Sequence, residues 1–346
     1  MIRRFIVSLA LSLYVLLPTI SLAAPVKVVT SFSVLKDLVK QVGGEQIELT
    51  NLVGPNGDAH VYQPSPADAQ AVAHADLLVI NGLGFEGWME RLVEAADFQG
   101  LTLAATNGID VIHLEEHEDE SEHHEGEATH HDEHEAHHED EATHHDEHET
   151  HHEDEAEHHD EGKDDHHAHH HGEFDPHAWH SVINTRTYVH NILAALVKVS
   201  PENRAYFEEN AARYLSQLKQ LQARLAAEMA SVPANKRNVI TSHDAFGYLA
   251  KDYGFHFTAP QGMSTEAEAS AADVVNIIKQ IRQQNIQAVF VENVSNPRLI
   301  EQIARETGVN IGGELYSDAL ASEDQAAGTY IGMMEHNIST LVNALR

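Results

Sequence analysis

Apolar residues follow two rhythms along this chain, and their alternation predicts its architecture. Short apolar runs at residues 26–30, 47–53, 77–81 and 101–104 read as strands, while 35–42, 66–74 and 86–95 carry helical patterns. That order predicts a parallel sheet flanked by helices. It resumes later, with strands at 239–242, 255–259, 288–292 and 310–312 and helices at 246–253, 271–283, 297–307 and about 329–345. In between, residues 177–199 read as one helix ending at Ser200-Pro201, where Pro suits a first helical position and Ser the cap before it. Phe207, Ala211, Tyr214, Leu218, Leu221, Leu225 and Met229 then line one face of a single helix. It spans about 30 residues, or about 45 Å at 1.5 Å per residue, and stops at Pro233.

A rod of that length exceeds what one small lobe requires, so it is expected to run between two lobes. A dimerising coiled coil is the alternative, but no sustained charge pattern flanks the apolar face. The expected fold class is α/β: two lobes, each with a mainly parallel sheet flanked by helices, joined by one long backbone helix. Ligands of open α/β sheets bind beyond the carboxyl ends of the strands, which places the site in the inter-lobe cleft. The expected boundaries are a signal peptide at 1–23, an N-terminal lobe at 24–200, a linking helix at 201–232 and a C-terminal lobe at 233–346.

Composition changes this picture at one place. Residues 113–171 hold 21 histidines and 25 acidic residues against a single Lys, Lys163, and no Arg. Such a segment has almost nothing apolar to offset its ordering entropy, so a disordered, solvated loop inside the first lobe is expected. Residues 127–140 recur nearly unchanged as 141–154, the mark of duplicated low complexity. Acid alone would serve a solubilising linker; the paired histidines point instead to weak binding of zinc, nickel or copper. The tract accounts for −24 of the formal −34, so the rest is ordinarily acidic, which argues against nucleic acid as a partner.

Arg3 and Arg4 precede an apolar run ending near Ile20, and Ser21-Leu22-Ala23 suits a signal peptidase. The run is interrupted by Pro18 and shorter than the roughly 20 residues of a membrane span. The chain has no Cys, hence no disulfide and no lipid-modified cysteine. The expectation is a freely diffusing periplasmic protein of a Gram-negative cell, not a lipoprotein, with no stable membrane insertion.

Outside the tract there are eight histidines. His60, His177 and His243 sit in turn-rich or strand-end contexts: Gly57-Asp58-Ala59-His60, Asp175-Pro176-His177-Ala178-Trp179 and Thr241-Ser242-His243-Asp244. A fourth loop, residues 314–320, offers a carboxylate. Three imidazoles and one carboxylate would close a four-coordinate shell around Zn²⁺. Spacing alone is weak here, because the residues are scattered. His74, His190, His256 and His336 are expected to be satisfied by packing or solvent, and His180 to be a polar surface residue or one just behind the ligands. Asp58, Asp175, Asp244 and Glu292 suit turns or the orientation of a ligating imidazole. Met263 and Trp179 are expected to line the cleft.

From about residue 26 to 346, the tract aside, the chain resembles the cluster A-I substrate-binding proteins of metal ABC importers, most closely the periplasmic zinc-binding, ZnuA-type members. The blocks GDAHVYQPSP, SPADAQAVAHADLLVINGLGFEGWMERL, DPHAW, HDAFGYLAKDYG, VFVENVSNPRLIEQIARETG and LYSDAL carry that resemblance, in order. It implies one ligand from each of four places, which fall here on His60, His177, His243 and Asp318. It also implies a His-rich loop between the first and second ligands. Manganese-type members tend to have Glu at the third ligand position, so His243 favours zinc. Ala59 departs from relatives with an acidic residue there, and the disulfide of certain relatives is absent.

The expected function follows: a non-enzymatic periplasmic receptor that holds one Zn²⁺ tightly and delivers it to a membrane permease, acting as a monomer. The His-rich loop would serve as a weak zinc collector or sensor. A stiff rod would limit whole-lobe closure, so metal release through local loop rearrangement is expected. The alternatives are a zinc buffer or chaperone without a permease, the same fold serving manganese or nickel, and, remotely, a zinc hydrolase in which Asp318 acts on bound water.

Overall fold

Why this chain builds two sheets is visible in the strands themselves. The first, β1 (Val26–Phe32), is buried almost throughout, as expected of a strand covered on both faces. The computed structural model describes residues 24–114, 173–284 and 286–346. The expected signal peptide, 1–23, lies outside the described residues, as does the tract from 115 to 172.

In the N-terminal half, β1 is followed by α1 (Ser33–Gly43), β2 (Ile47–Val53), α2 (Pro66–Ala73), β3 (Leu77–Ile80), α3 (Met89–Ala95) and β4 (Leu101–Ala104). The four strands form a wholly parallel sheet in the order β2-β1-β3-β4. After α4 (Val182–Val199) and α5 (Arg204–Met229) come β5 (Asn238–Ile240), α6 (Gly247–Tyr253), β6 (His256–Thr258), α7 (Ala271–Gln283), β7 (Ala288–Glu292), α8 (Arg298–Thr307), β8 (Asn310–Leu315) and α9 (Tyr330–Leu345). They make a second parallel sheet in the order β6-β5-β7-β8. In each sheet the order reverses beside the first strand, the switch point beyond which a ligand crevice forms.

The long helix α5 buries Phe207, Ala211, Tyr214, Leu218, Leu221, Leu225 and Met229, the residues its periodicity selects. At 26 residues it is shorter than expected, about 39 Å. A short 3₁₀ turn, Pro201–Asn203, takes up its expected first turn. At the other end Arg237 donates to Met229 O at the end of α5, to Val232 O just beyond it and to Tyr253 O at the end of α6, tying the two helix ends together. This helix packs against α1 and α4 from the first half and against α9 from the second. Each of its fully buried large side chains contributes about 1.5–3 kcal/mol of transfer free energy. One apolar cluster therefore extends through both halves, from Val28 and Leu77 through Leu218 and Leu221 to Val239, Phe246 and Leu341. A smaller cluster, Ile240, Ile277, Ile281, Ile286, Val289, Ile300 and Ile303, lies between the second sheet and the α7–α8 pair.

Three expectations need correction. Residues 177–199 are not one helix: Ala178–His180 form a 3₁₀ turn, and Ser181, in extended conformation, caps α4 with its hydroxyl at Asn184 N (3.4 Å). Strand β8 continues three residues beyond 312, a continuation masked by Gly312-Gly313. The register shifts beside Phe290, Gly313 adopts φ 141°, and a side chain at Gly312 would strike the Phe290 ring. Finally, His113 does not belong to a disordered loop. It forms an antiparallel bridge to Phe174, flanked by hydrogen bonds from Leu114 N to Glu173 O (3.0 Å) and from Asp175 N to Ile112 O (2.9 Å).

Candidate metal centre

The loop after β2 owes its course to its turn residues. Asn56 takes left-handed φ 53° before Gly57, and its amide donates to Leu320 O (2.9 Å). Downstream, Ser65 and Asp68 form a capping box at the start of α2, and Tyr62 donates to Asp68 (2.9 Å). Between these anchors Asp58 accepts the His60 amide (2.9 Å) and Trp88 Nε1 donates to Ala59 O (2.7 Å). His60 is thereby turned inward, its ring against the Phe85 ring at 4.8 Å.

His177 is set by the Asp-Pro turn before it. Asp175 Oδ1 accepts both the His177 amide (2.9 Å) and its Nδ1 (2.8 Å), which leaves Nε2 as the free donor atom. Asn81 Nδ2 holds Pro176 O at 2.9 Å, while Tyr188 donates to Asn81 Oδ1 at 2.7 Å. A Cβ at Gly247 would lie 2.5 Å from Asp175 Oδ2, so glycine there makes room for the orienting carboxylate. On the second sheet, Glu292 at the end of β7 plays the corresponding part. Its Oε1 accepts the amides of Ser242 and His243 (2.7 and 2.9 Å), and its Oε2 lies 2.5 Å from His243 Nδ1.

Asp318 follows β8, yet its loop is tied to the first half. Trp179 Nε1 donates to Ser317 O (2.9 Å) and Leu320 N to Ser33 Oγ (2.8 Å). The four expected residues converge. One donor atom from each of His60, His177, His243 and Asp318 lies within 4.8 Å of every other, and all four are buried. His60 Nε2 is 3.4 Å from His177 Nε2 and 3.3 Å from Asp318 Oδ2. His243 Nε2 is 3.2 Å from the same Oδ2, and His177 Nε2 is 3.6 Å from Oδ1. A tetrahedral ion with bonds of about 2.0–2.1 Å separates its donors by about 3.4 Å, so these spacings suit a small cation.

Electrostatics agree with the geometry. Burial disfavours charge on His243, but the carboxylates of Glu292 and Asp318 outweigh it and hold its ring well above the ordinary imidazole range. Burial likewise opposes charge on Asp318, but His243 and His177 keep it well below the ordinary carboxylate range. The polar groups that face this buried carboxylate are the ring nitrogens of His60, His243 and His177, as a buried charge requires.

The other histidines separate cleanly. His74, His190 and His256 are exposed, and His336 Nε2 sits 3.0 Å from Glu314 O. His180 is not a surface residue: it is fully buried between the Trp179 and Phe246 rings, and burial, with His177 nearby, pushes it down to about 3. Trp179 is likewise wholly buried, packed on Phe32 and Phe85. Phe85 and Asn81, which hold the rings and the turn of the first half, were not singled out from sequence. Their signals are a place in the loop after β3, in a chain whose candidate ligands follow strands, and membership of the SPADAQAVAHADLLVINGLGFEGWMERL block that helps carry the family resemblance.

Comparison with known proteins places the fold. The family model described as "ZnuA: Zinc-uptake complex component A periplasmic" matches residues 28–344. A zinc-binding protein, TroA of Treponema pallidum, is 30% identical over 92% of this chain and 88% of its own length. The manganese-binding lipoprotein MntA of Halalkalibacterium halodurans is 29% identical over the same shares. The solved structure of the periplasmic zinc-binding protein TroA superimposes with a TM-score of 0.74 at 29% identity, covering 93% of this chain and 99% of that one. This chain accordingly belongs to the ZnuA family, the metal-binding substrate receptors of ABC importers, and is a receptor, not an enzyme.

Proposed function

We propose that this receptor captures Zn²⁺ with His60, His177, His243 and Asp318 and delivers it to the permease of a zinc importer. The observation that carries this reading is the convergence of three buried imidazoles on one buried carboxylate. Imidazole-rich sites favour zinc over harder divalent ions, and His243 supplies a third ring nitrogen. Four protein donors complete a tetrahedral shell and leave no position for an activated water, which suits sequestration and delivery. Relatives named for manganese and for iron make those two ions the competitors.

The chain works as a monomer in the periplasm, released by cleavage of residues 1–23. Some relatives are named as lipoproteins, whereas this sequence contains no cysteine to carry a lipid. No helix among the described residues is long and apolar enough to cross a membrane. The histidines of 115–171 act as weak zinc collectors, on the strength of their composition.

Zinc selectivity is tested on a chain in which residues 115–172 are replaced by an Asn-Gly turn, which the Leu114–Glu173 pairing suits. Chelator-competition titrations should give one tightly held Zn²⁺ that excess Mn²⁺ does not displace. The triple variant His60→Ala, His177→Ala, His243→Ala should lose it. Manganese displacing zinc, or tight stoichiometric zinc in the triple variant, overturns the reading.

A further inference from the structure

The segment between β6 and α7, residues 259–270, runs first alongside the His243 loop. Gln261 N donates to Ser242 O (3.3 Å) and Asp244 N to Gly262 O (3.1 Å), on either side of a parallel bridge between His243 and Gln261. Gln261 Nε2 donates to Ala267 O (3.0 Å), drawing the segment into a turn. From within it Thr265 Oγ1 donates to Asp58 Oδ2 at 2.6 Å. The other oxygen of that carboxylate accepts the His60 amide. One side chain thus fastens the loop that carries His60 to the segment paired with the loop that carries His243.

Other polar contacts between the two halves lie elsewhere. Asn56, Ser33 and Lys36 engage the loop after β8 and Asn293, while Tyr248 and Lys251 engage residues 110–112 and Asp175. Among the described residues, Thr265 to Asp58 is the hydrogen bond joining residues 259–270 to the half that holds His60 and His177. A hydroxyl donating to a carboxylate at this distance is in the strong, charge-assisted class. Both side chains are only half-buried, so the bond can be made and broken without disturbing the apolar core.

We propose that Asp58 and Thr265 form a cross-cleft latch that sets the residence time of the bound metal ion. With the bond made, the 259–270 segment holds the His243 loop against the His60 loop. Breaking it frees the His243 side to swing away while His60 and His177 keep their places. The latch rests on the zinc-receptor reading of the site and deepens it: these are positioning residues and touch no metal.

The test uses the full chain loaded with one equivalent of Zn²⁺ and mixed with excess chelator. Thr265→Val keeps the shape and removes the donor; Thr265→Ser keeps the donor. Zinc release from Thr265→Val should be roughly tenfold faster than from the parent, as loss of one such bond implies, with stoichiometry and metal-free melting temperature unchanged. Thr265→Ser should return the rate to near the parental value. Parental release from Thr265→Val overturns the latch, and so does equal acceleration in both variants, since side-chain bulk would then be responsible. A parent chain that holds no tight zinc overturns the receptor reading itself. That failure appears in stoichiometry, whereas failure of the latch alone appears only in the rate.

Discussion

The two sides of the metal centre are built differently. His60 and His177 stand on a platform of packed aromatics, Phe32, Phe85 and Trp179, braced by Asn81, Tyr188 and Asp175. His243 stands in the loop after a three-residue strand, β5, where Glu292 holds its amide and faces its ring and residues 261–262 pair with its backbone. Asp318 belongs by sequence to the second sheet but is pinned to the first half through Ser317 and Leu320. Three of the four candidate ligands are therefore anchored to the first half, and the fourth reaches them on the arm that follows β5.

Glu292→Gln should affect the arm most. Altering a carboxylate that orients a ligating imidazole weakens metal affinity by about 10- to 100-fold. The loss should be largest near pH 8 and narrow towards pH 6, because the same carboxylate raises the proton affinity that zinc must overcome. Asp175→Asn, on the platform, should cost less, because Phe85 and Trp179 still hold the His177 ring. Titration of both variants in parallel breaks the comparison if Asp175→Asn proves the more damaging.

A second contrast is in protons. His243 is raised in the metal-free protein, so its protonated form stabilises the fold below about pH 6.5, a contribution lost as pH rises through its higher folded value. Asp318 is lowered, so its charged form contributes above about pH 4 and is lost as pH falls through its lower folded value. Zinc needs His243 neutral, so binding at neutral pH should expel about one proton, and affinity should rise up to about tenfold per pH unit until His243 titrates. Heats of binding in buffers of different ionisation enthalpy measure that proton. Binding without proton release removes the charged arm from the account.

How much of this the sequence discloses depends on how local the cause is. Strands β2, β4 and β7 and helix α7 fall within their expected bounds because each is an apolar run or amphipathic period closed by clear turn or capping residues. The break at Ser181 was not legible. Residues 177–199 have helical composition throughout, but aiming His177 inward forces a tight turn before the regular helix can begin. Gly312-Gly313 reads as a strand end and is instead a bulge fitted under Phe290. The roles suggested for Asp175 and Glu292 agree with their contacts, one beside its histidine in sequence and the other at a strand end. The Thr265 to Asp58 bond joins positions 207 residues apart, and no local pattern announces such a pair.

The central claim is that one cation is enclosed by four side chains from four separate loops. Anomalous diffraction at the zinc edge, from crystals of the protein loaded with one equivalent of zinc, tests it directly. The account predicts a single strong peak within about 2.0–2.2 Å of His60 Nε2, His177 Nε2, His243 Nε2 and an Asp318 oxygen. A peak displaced from any of the three imidazoles, or held by solvent in place of Asp318, would contradict it.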